Sequence, residues 1–298
     1  PTEEYTNGIM NPAGYQEAGL VGAIIIVVSL LAFSLGLRRF IPQLRSYRID
    51  TPISPHQFFH QVADVFRTAS ARIVVLAGVL YYAGVGTYVA LWVYIYSYFW
   101  EFTSEQISFI VIPMAVAALF LPPAIARWGV RHEKKTMAII GLLGGMVINV
   151  IPISLRLLGF FPENGSTALF WIMLMAGFFE TMLLLLFDIS WRSMIADLTE
   201  QTELKTGRRN EGVISSTIAF TSKCADALGT LIAGTLLTLI AFPTETAVGE
   251  VPKSVITKLG LVYGPMIFLI WMGVILTISR YRISRLQHEK MLERLSKK

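Results

Sequence analysis

Residues 168–193 read ALFWIMLMAGFFETMLLLLFDISWRS, an apolar run with only three charged residues, Glu180, Asp188 and Arg192. About 20 consecutive apolar residues in a helix span the ~30 Å hydrocarbon core of a bilayer. A helix on a soluble core would instead carry polar residues along one face, at a period of about 3.6 residues. The run therefore predicts a transmembrane helix.

Further runs of the same kind lie on both sides of this stretch, at 19–37, 73–100, 107–128, 137–161, 212–242 and 259–279. Over all 298 residues, 54% are hydrophobic and 15% are charged, whereas soluble proteins have about 25% charged residues. Helices are expected because a backbone in lipid must satisfy its own hydrogen bonds. The predicted fold class is an all-α membrane protein with seven transmembrane helices.

The distribution of Lys and Arg predicts the orientation of these spans. Segments 38–72, 127–136, 192–211 and 280–298 hold 6, 4, 4 and 7 of the 25 basic residues. These segments alternate with loops that are poor in Lys and Arg, and basic loops face the cytosol. We therefore expect the N-terminal end of this chain outside and its C-terminal end in the cytosol of a plasma (inner) membrane.

The chain divides into five segments on this basis. An extracytoplasmic segment (1–18) precedes the first span (19–37), a basic cytosolic linker (38–72), a six-span bundle (73–279) and a cytosolic tail (280–298). Within the linker, 55–67 has the pattern of an interfacial helix, and the tail has that of an amphipathic helix on the inner leaflet. The chain opens at Pro1 without a signal peptide, so we expect it to be the C-terminal part of a longer protein.

Two charged residues lie deep inside the sixth span. Lys223 is 11 residues past Gly212, which places it about 16 Å into the membrane. Asp226 lies one turn further on the same face. One hypothesis is an intrahelical ion pair that makes both residues tolerable in lipid. The other, which we favour, is a charge pair that lines a polar translocation cavity, because such buried charges mark substrate pathways.

Glu180 lies 12 residues into the fifth span, about 18 Å deep. It is either a protonated carboxyl that packs between helices or a ligand for a proton or cation in the cavity. Tyr88 and Trp92 lie in the second span at helical spacing. Aromatic faces at such positions stack on sugar rings in binding sites, although helix packing explains the same pattern. The predicted cavity therefore comprises Lys223, Asp226, Glu180, Trp92 and Tyr88.

Several functional classes lack support in this sequence. The single cysteine, Cys224, excludes a disulfide framework, and no phosphate-binding loop, dinucleotide turn or metal-protease helix is present. His56 and His60 have an i,i+4 spacing but no further candidate ligands nearby. We expect no enzymatic activity, no resident cofactor or metal, and no nucleic-acid partner, since the basic excess faces anionic lipid.

The sequence after the fifth span carries a longer motif. Residues 194–212 read MIADLTEQTELKTGRRNEG, and Lys223 follows Glu211 by 12 residues. This pattern resembles the signature between helices 10 and 11 of the glycoside–pentoside–hexuronide:cation symporters, the melibiose-permease-like branch of the major facilitator superfamily. The resemblance covers the linker, six spans and the tail.

This resemblance implies an architecture and a mechanism. The first span would be equivalent to helix 6, and the other six to the C-terminal six-helix bundle. The solute and a coupling cation, Na+ or H+, would bind between this bundle and an N-terminal six-helix half that is missing from this chain. Lys223 would face that cavity. A cytosolic gate would consist of ion pairs that break and reform during alternating access: Asp197, Glu200, Glu203, Arg208 and Arg209.

The expected function is therefore the C-terminal half of a cation-coupled secondary transporter for a sugar, a glycoside or a related small solute. The alternative is a complete seven-helix receptor or photoreceptor-like protein, which would also have its N-terminus outside and one buried lysine. In such a photoreceptor the lysine would lie in the last span, whereas Lys223 lies in the one before it.

Overall fold

The computed structural model describes residues 12–43, 62–63, 66, 68–129, 131–206, 211–243 and 246–296. The ordered elements of these residues are helices, and no strand occurs among them, as the predicted all-α class requires. The chain forms two units, Pro1–Ser54 and Pro55–Lys298. The predicted interfacial helix at 55–67 lies almost entirely outside the described residues.

The first unit contains one long helix, α1 (Pro12–Arg38), and a short 3-10 turn at Ile41–Gln43. The helix extends over the whole predicted span 19–37. Its apolar side chains are exposed along its length, as expected of a helix whose surroundings are lipid. Arg38 ends the helix on the side that the basic linker assigns to the cytosol.

The second unit is a helical bundle. Its helices, in chain order, are α2 (Ala69–Tyr94), α3 (Ser104–Phe120), α4 (Pro122–Gly129), α5 (Lys134–Leu157), α6 (Thr167–Thr206), α7 (Glu211–Leu239), α8 (Lys253–Leu261), α9 (Ile267–Ile278) and α10 (Arg285–Ser296). The main packing pairs are α2 with α7, α5 with α6, α2 with α9, and α3 with α6.

Two spans contain a π-helical turn. The first turn, Ile95–Phe99, continues α2, and the second, Val262–Met266, joins α8 to α9. Pro265 lies in the second turn and has no N–H to donate, so a widened turn accommodates it. The two turns lie near each other, because Gly260 of α8 packs on the ring of Phe99.

The predicted span 107–128 is broken rather than continuous. Helices α3 and α4 meet at an angle of 47°. The break falls at Pro122 and Pro123, because proline removes a helical hydrogen bond and its ring clashes with the preceding turn. At the opposite end of this span, a capping box between Thr103 and Gln106 begins α3.

By length and hydropathy, five of the described helical segments can cross a membrane, or six if α3 and α4 form one span. The remaining predicted span corresponds to α7, which is long enough at 29 residues. Its polar residues, including Lys223 and Asp226, lower its mean hydropathy, so α7 is not among these candidate spans. The predicted span that falls outside the group is therefore the one that carries Lys223 and Asp226.

Helix α6 is longer than expected. The sequence predicted a span at 168–193 followed by a loop, whereas the helix continues to Thr206 and contains 40 residues. At 1.5 Å per residue it is about 60 Å long, roughly twice the hydrocarbon thickness. The motif residues Asp197, Glu200 and Glu203 therefore lie on a C-terminal extension of a transmembrane helix.

Candidate functional site

The crossing of α2 and α7 positions the predicted charged pair. Gly86 of α2 lies against the backbone carbonyl of Asp226, and Gly229 of α7 lies against the carbonyl of Ala83. The hydroxyl of Thr87 donates a hydrogen bond of 3.0 Å to the carbonyl oxygen of Gly229. Small residues allow this close backbone approach, which holds α7 in one rotation about its axis.

A cavity of about 560 Å³ lies beside this crossing. Six of its lining residues lie on α7 at spacings of three and four, and so form one face: Ser215, Ile218, Ala219, Ser222, Lys223 and Asp226. The other walls are Tyr82 and Val85 of α2, and Trp191, Arg192 and Ile195 of α6. The volume lies within the range of small-molecule binding sites.

Lys223 and Asp226 both line this cavity. Within the described residues Lys223 forms no ion pair with Asp226, so the intrahelical pair that was the first hypothesis is not formed. Lys223 is exposed in the chain and Asp226 is partly buried. Both side chains are therefore available to a polar ligand.

Arg192, Tyr82 and Trp191 are cavity residues that the sequence did not single out. Nε of Arg192 lies 2.7 Å from Oδ2 of Asp188, one turn earlier on α6. The pair fixes the guanidinium at the wall of the cavity. The only sequence signal was the position of Trp191 and Arg192 at the C-terminal end of an apolar run.

Glu180 and Tyr88 lie together, but at a different place. The hydroxyl of Tyr88 donates a hydrogen bond of 3.1 Å to Oε1 of Glu180, and the amide of Asn149 donates one of 3.3 Å to the same oxygen. Neither Glu180 nor Tyr88 lines the cavity of Lys223. The structure therefore separates the predicted set into two sites.

Trp92 belongs to neither site. Its ring stacks on Tyr96 with centroids 4.2 Å apart, and the residue is half-buried. This contact matches the helix-packing explanation of the aromatic pattern. Tyr88 also stacks on Tyr263, with centroids 5.3 Å apart. The aromatic surface that the cavity does contain comes from Tyr82 and Trp191.

Three of the residues predicted for the gate lie near the C-terminal end of α6, where two of them join a charge network. Asp197 is 2% exposed, and its Oδ1 lies 2.5 Å from Nζ of Lys134 and 3.3 Å from Nε2 of His288. Nε2 of His288 is also 2.6 Å from Oε2 of Glu200. Glu203 is half-buried on the same helix, and the predicted partners Arg208 and Arg209 lie outside the described residues.

Tyr281 completes the network on the opposite side of Asp197. Its hydroxyl donates a hydrogen bond of 3.3 Å to Oδ2 of Asp197. Burial raises the pKa of the Tyr281 phenol, and the adjacent Asp197 carboxylate raises it further. The phenol therefore stays neutral and acts as a hydrogen-bond donor to the carboxylate.

Asp197, Glu200 and His288 together have the chemistry of a metal site, since one ligand atom from each lies within 4.8 Å of the others. The ammonium of Lys134 is already in contact with the Asp197 oxygen of this group. The arrangement is therefore that of an ion-pair network. No sequence pattern pointed to His288, because its partners lie some 90 residues away on another helix.

The apolar helices and the polar cavity between them are those of a multi-pass helical membrane protein. A family model described as MFS/sugar transport protein matches residues 6–285, and the chain belongs to this family. The resemblance to glycoside–pentoside–hexuronide symporters is confirmed at the level of the family. Membership in a transporter family also decides between the two expected functions, against the seven-helix receptor. No curated protein sequence matches the chain significantly.

Proposed function

We propose that this chain is the C-terminal half of a cation-coupled secondary transporter for a sugar or glycoside. It would work by alternating access in the plasma (inner) membrane. In this proposal α1 is equivalent to helix 6, and the bundle packs against an N-terminal six-helix half. The observation that carries the proposal is the face of α7 that presents Lys223 and Asp226 to a cavity of about 560 Å³.

The composition of this cavity suits a polyhydroxylated solute. Lys223, Arg192, Asp226 and the hydroxyls of Ser215, Ser222 and Tyr82 line it, and these groups donate and accept hydrogen bonds to sugar hydroxyls. The phenol ring of Tyr82 and the indole of Trp191 offer flat apolar surfaces to the C–H faces of a pyranose. Mixed polar and aromatic walls are the usual composition of small-molecule sites.

Alternating access requires that the cytosolic side open and close. We assign this role to the network of Asp197, Lys134, His288 and Glu200, together with Glu203, Arg208 and Arg209 of the motif. Ion pairs at the end of a rigid 40-residue helix transmit a small tilt of that helix into a displacement at the membrane surface. Inverted and repeated bundles in transporters move as nearly rigid bodies in this way.

The test is uptake by the full-length protein in cells or proteoliposomes. The probes are a radiolabelled α-galactoside, a β-xyloside and a glucuronide, each supplied with a Na+ gradient or a proton gradient. The variants are Lys223→Ala and Lys223→Gln. The matched control is Lys258→Ala, because Lys258 is an exposed lysine of α8 that does not line the cavity.

We expect both Lys223 variants to lose uptake by at least about tenfold, the effect of removing about 1.4 kcal/mol of interaction. The Lys258→Ala control should transport like the unmodified protein. Uptake that is unchanged in the Lys223 variants would contradict the assignment of the site. If none of the three probes is taken up with either gradient, the proposed solute class, a sugar or glycoside, is contradicted.

A further inference from the structure

Glu180 is a buried carboxyl without a cationic partner. The residue is 4% exposed, and no lysine, arginine or histidine among the described residues contacts it. Its two hydrogen-bond donors, Tyr88 and Asn149, are both neutral and both bind Oε1. An ionised carboxylate in such surroundings is costly unless a cation compensates it.

Two polar atoms close to this carboxyl are buried and have no well-aligned hydrogen bond within the described part of the chain. They are Oδ1 of Asn149 and the hydroxyl of Tyr263, a residue that is 1% exposed. Buried polar groups are nearly always paired. The Tyr263 hydroxyl can donate and accept hydrogen bonds, whereas Oδ1 of Asn149 and an ionised Glu180 can only accept. An O–H on Glu180 would add a second donor to this group.

A small void of about 10 Å³ lies among these groups, which is about the size that holds one water molecule. Glu180, Asn149, Tyr96 and Tyr263 line it. The two tyrosines lie in the two π-helical turns of the bundle, Ile95–Phe99 and Val262–Met266. Such turns occur frequently at functional sites, and here each of them brings a phenol to the same small space.

We propose that Glu180 is a reversible proton-binding site in this bundle, separate from the cavity of Lys223. A proton from bulk water forms an O–H bond at Oε2 and returns to water on release. The added hydrogen makes Glu180 neutral and gives the carboxyl a donor of its own, while Tyr88 and the Asn149 amide continue to bind Oε1. Among the described residues, the titratable groups that face Glu180 are Tyr88, Tyr96 and Tyr263, and none of them is basic.

This site extends the proposed function, which leaves the coupling ion open between Na+ and H+. A carboxyl that alternates between neutral and ionised forms changes the charge of the bundle interior by one unit. The cost of that charge depends on whether Glu180 faces a dry void or water, so proton binding favours one arrangement of the helices. Proton binding itself can be measured without any transported solute, and its test therefore does not depend on the solute class.

The test is an infrared pH titration of the full-length protein in lipid nanodiscs. The carboxylic C=O stretch of a protonated, buried glutamate is expected in the unmodified protein and should disappear reversibly at high pH. Glu180→Gln should abolish this band. Glu105→Gln is the matched control, because Glu105 is exposed at the start of α3. It should leave the band unchanged.

We expect the Glu180→Gln variant to fold normally, because the glutamine amide retains one acceptor oxygen and adds an N–H donor. A second variant, Asn149→Leu, keeps the carboxyl and removes its neighbour. We expect the band to persist there and to move to the frequency of a less strongly hydrogen-bonded carboxyl. A role of Asn149 in packing alone would leave the frequency unchanged and would contradict the proposed contact.

Na+ is the other cation that this site could bind, and adding sodium tests whether it replaces the proton. Adding NaCl at constant pH, with KCl at equal ionic strength as the control, should leave the band intact. Loss of the band with Na+ alone, a band that survives in Glu180→Gln, or no band in the unmodified protein would each overturn the proposal. Failure of the Lys223 uptake test with an intact Glu180 band would contradict only the proposed solute site.

Discussion

Nζ of Lys134 lies 2.5 Å from Oδ1 of Asp197, and this contact joins the start of α5 to the C-terminal extension of α6. The same carboxylate receives a hydrogen bond from Tyr281, which follows α9, and lies 3.3 Å from His288 of α10. One buried side chain therefore connects four parts of the chain. All of them lie on the side that the basic loops assign to the cytosol.

The two partners of this ion pair should differ in their effect on stability. Lys134→Met leaves Asp197 buried and short of a partner, which costs about 3–5 kcal/mol for buried pairs. Asp197→Asn should cost less, about 1–3 kcal/mol, because Lys134 is 31% exposed and can turn to water. Thermal unfolding of the purified protein in detergent measures both.

Lys290→Met is the control for this comparison, since Lys290 is exposed on α10. It should unfold within about 0.5 kcal/mol of the unmodified protein, as surface substitutions do. Equal losses from Lys134→Met and Asp197→Asn would show that the burial of Asp197 does not control the energetics of the pair.

His288 should hold the tail helix α10 on α6. Its Nε2 lies 2.6 Å from Oε2 of Glu200 and 3.3 Å from Oδ1 of Asp197. His288→Ala removes both contacts and should speed tryptic cleavage within α10. Glu289→Gln serves as the control because it removes only an exposed i,i+4 pair with Arg285, which contributes about 0.3–0.5 kcal/mol. Cleavage at the same rate in the two variants would argue against the docking contact.

The glycines at the α2–α7 crossing should be intolerant of a methyl group. A Cβ at Gly86 would collide with the carbonyl of Asp226, and one at Gly229 would collide with the carbonyl of Ala83. We expect Gly86→Ala and Gly229→Ala each to cost about 1–3 kcal/mol, as overpacking does. Gly234→Ala on the same helix has open space around its Cβ and is the control. Its unfolding temperature should be unchanged or higher, since alanine favours helices.

The cavity beside α7 should be accessible to water-soluble reagents. In a Cys224→Ser background, Lys223→Cys should react with a charged, membrane-impermeant thiol reagent, because residue 223 lines the cavity. Ala225→Cys should not react, since residue 225 is 4% exposed and faces the bundle. Labelling yield by mass spectrometry distinguishes them. Equal protection of both cysteines would indicate that the face of Lys223 is dry.

Much of the fold follows from the sequence because membrane insertion depends on one-dimensional quantities. The length of an apolar run predicts a span, and the Lys and Arg content of its flanks predicts its orientation. The long run at 168–193 accordingly forms part of α6. The end of α6 was missed because no lipid contact limits a helix beyond the membrane, and the polar motif 194–206 has no residue that stops it.

For the two sites, too, the sequence predicts some features and misses others. Lys223 and Asp226 could be placed in a cavity because charges three residues apart share one helix face and are costly in lipid. Glu180 and Arg192 are both on α6, but residues twelve apart differ by about 120° around the helix axis. One therefore points to Asn149 and Tyr88, and the other to the cavity. Depth along a helix does not specify which neighbour a side chain meets.

The amino-acid sequence by itself determined the class and the family of this protein, because each depends on composition or on a contiguous motif. Only the tertiary structure decided that Glu180 lies apart from the cavity of Lys223 and that His288 meets Asp197 and Glu200. These contacts depend on the rotation and crossing of helices. That rotation is set by the sum of many packing contacts, such as Gly86 against the backbone of Asp226.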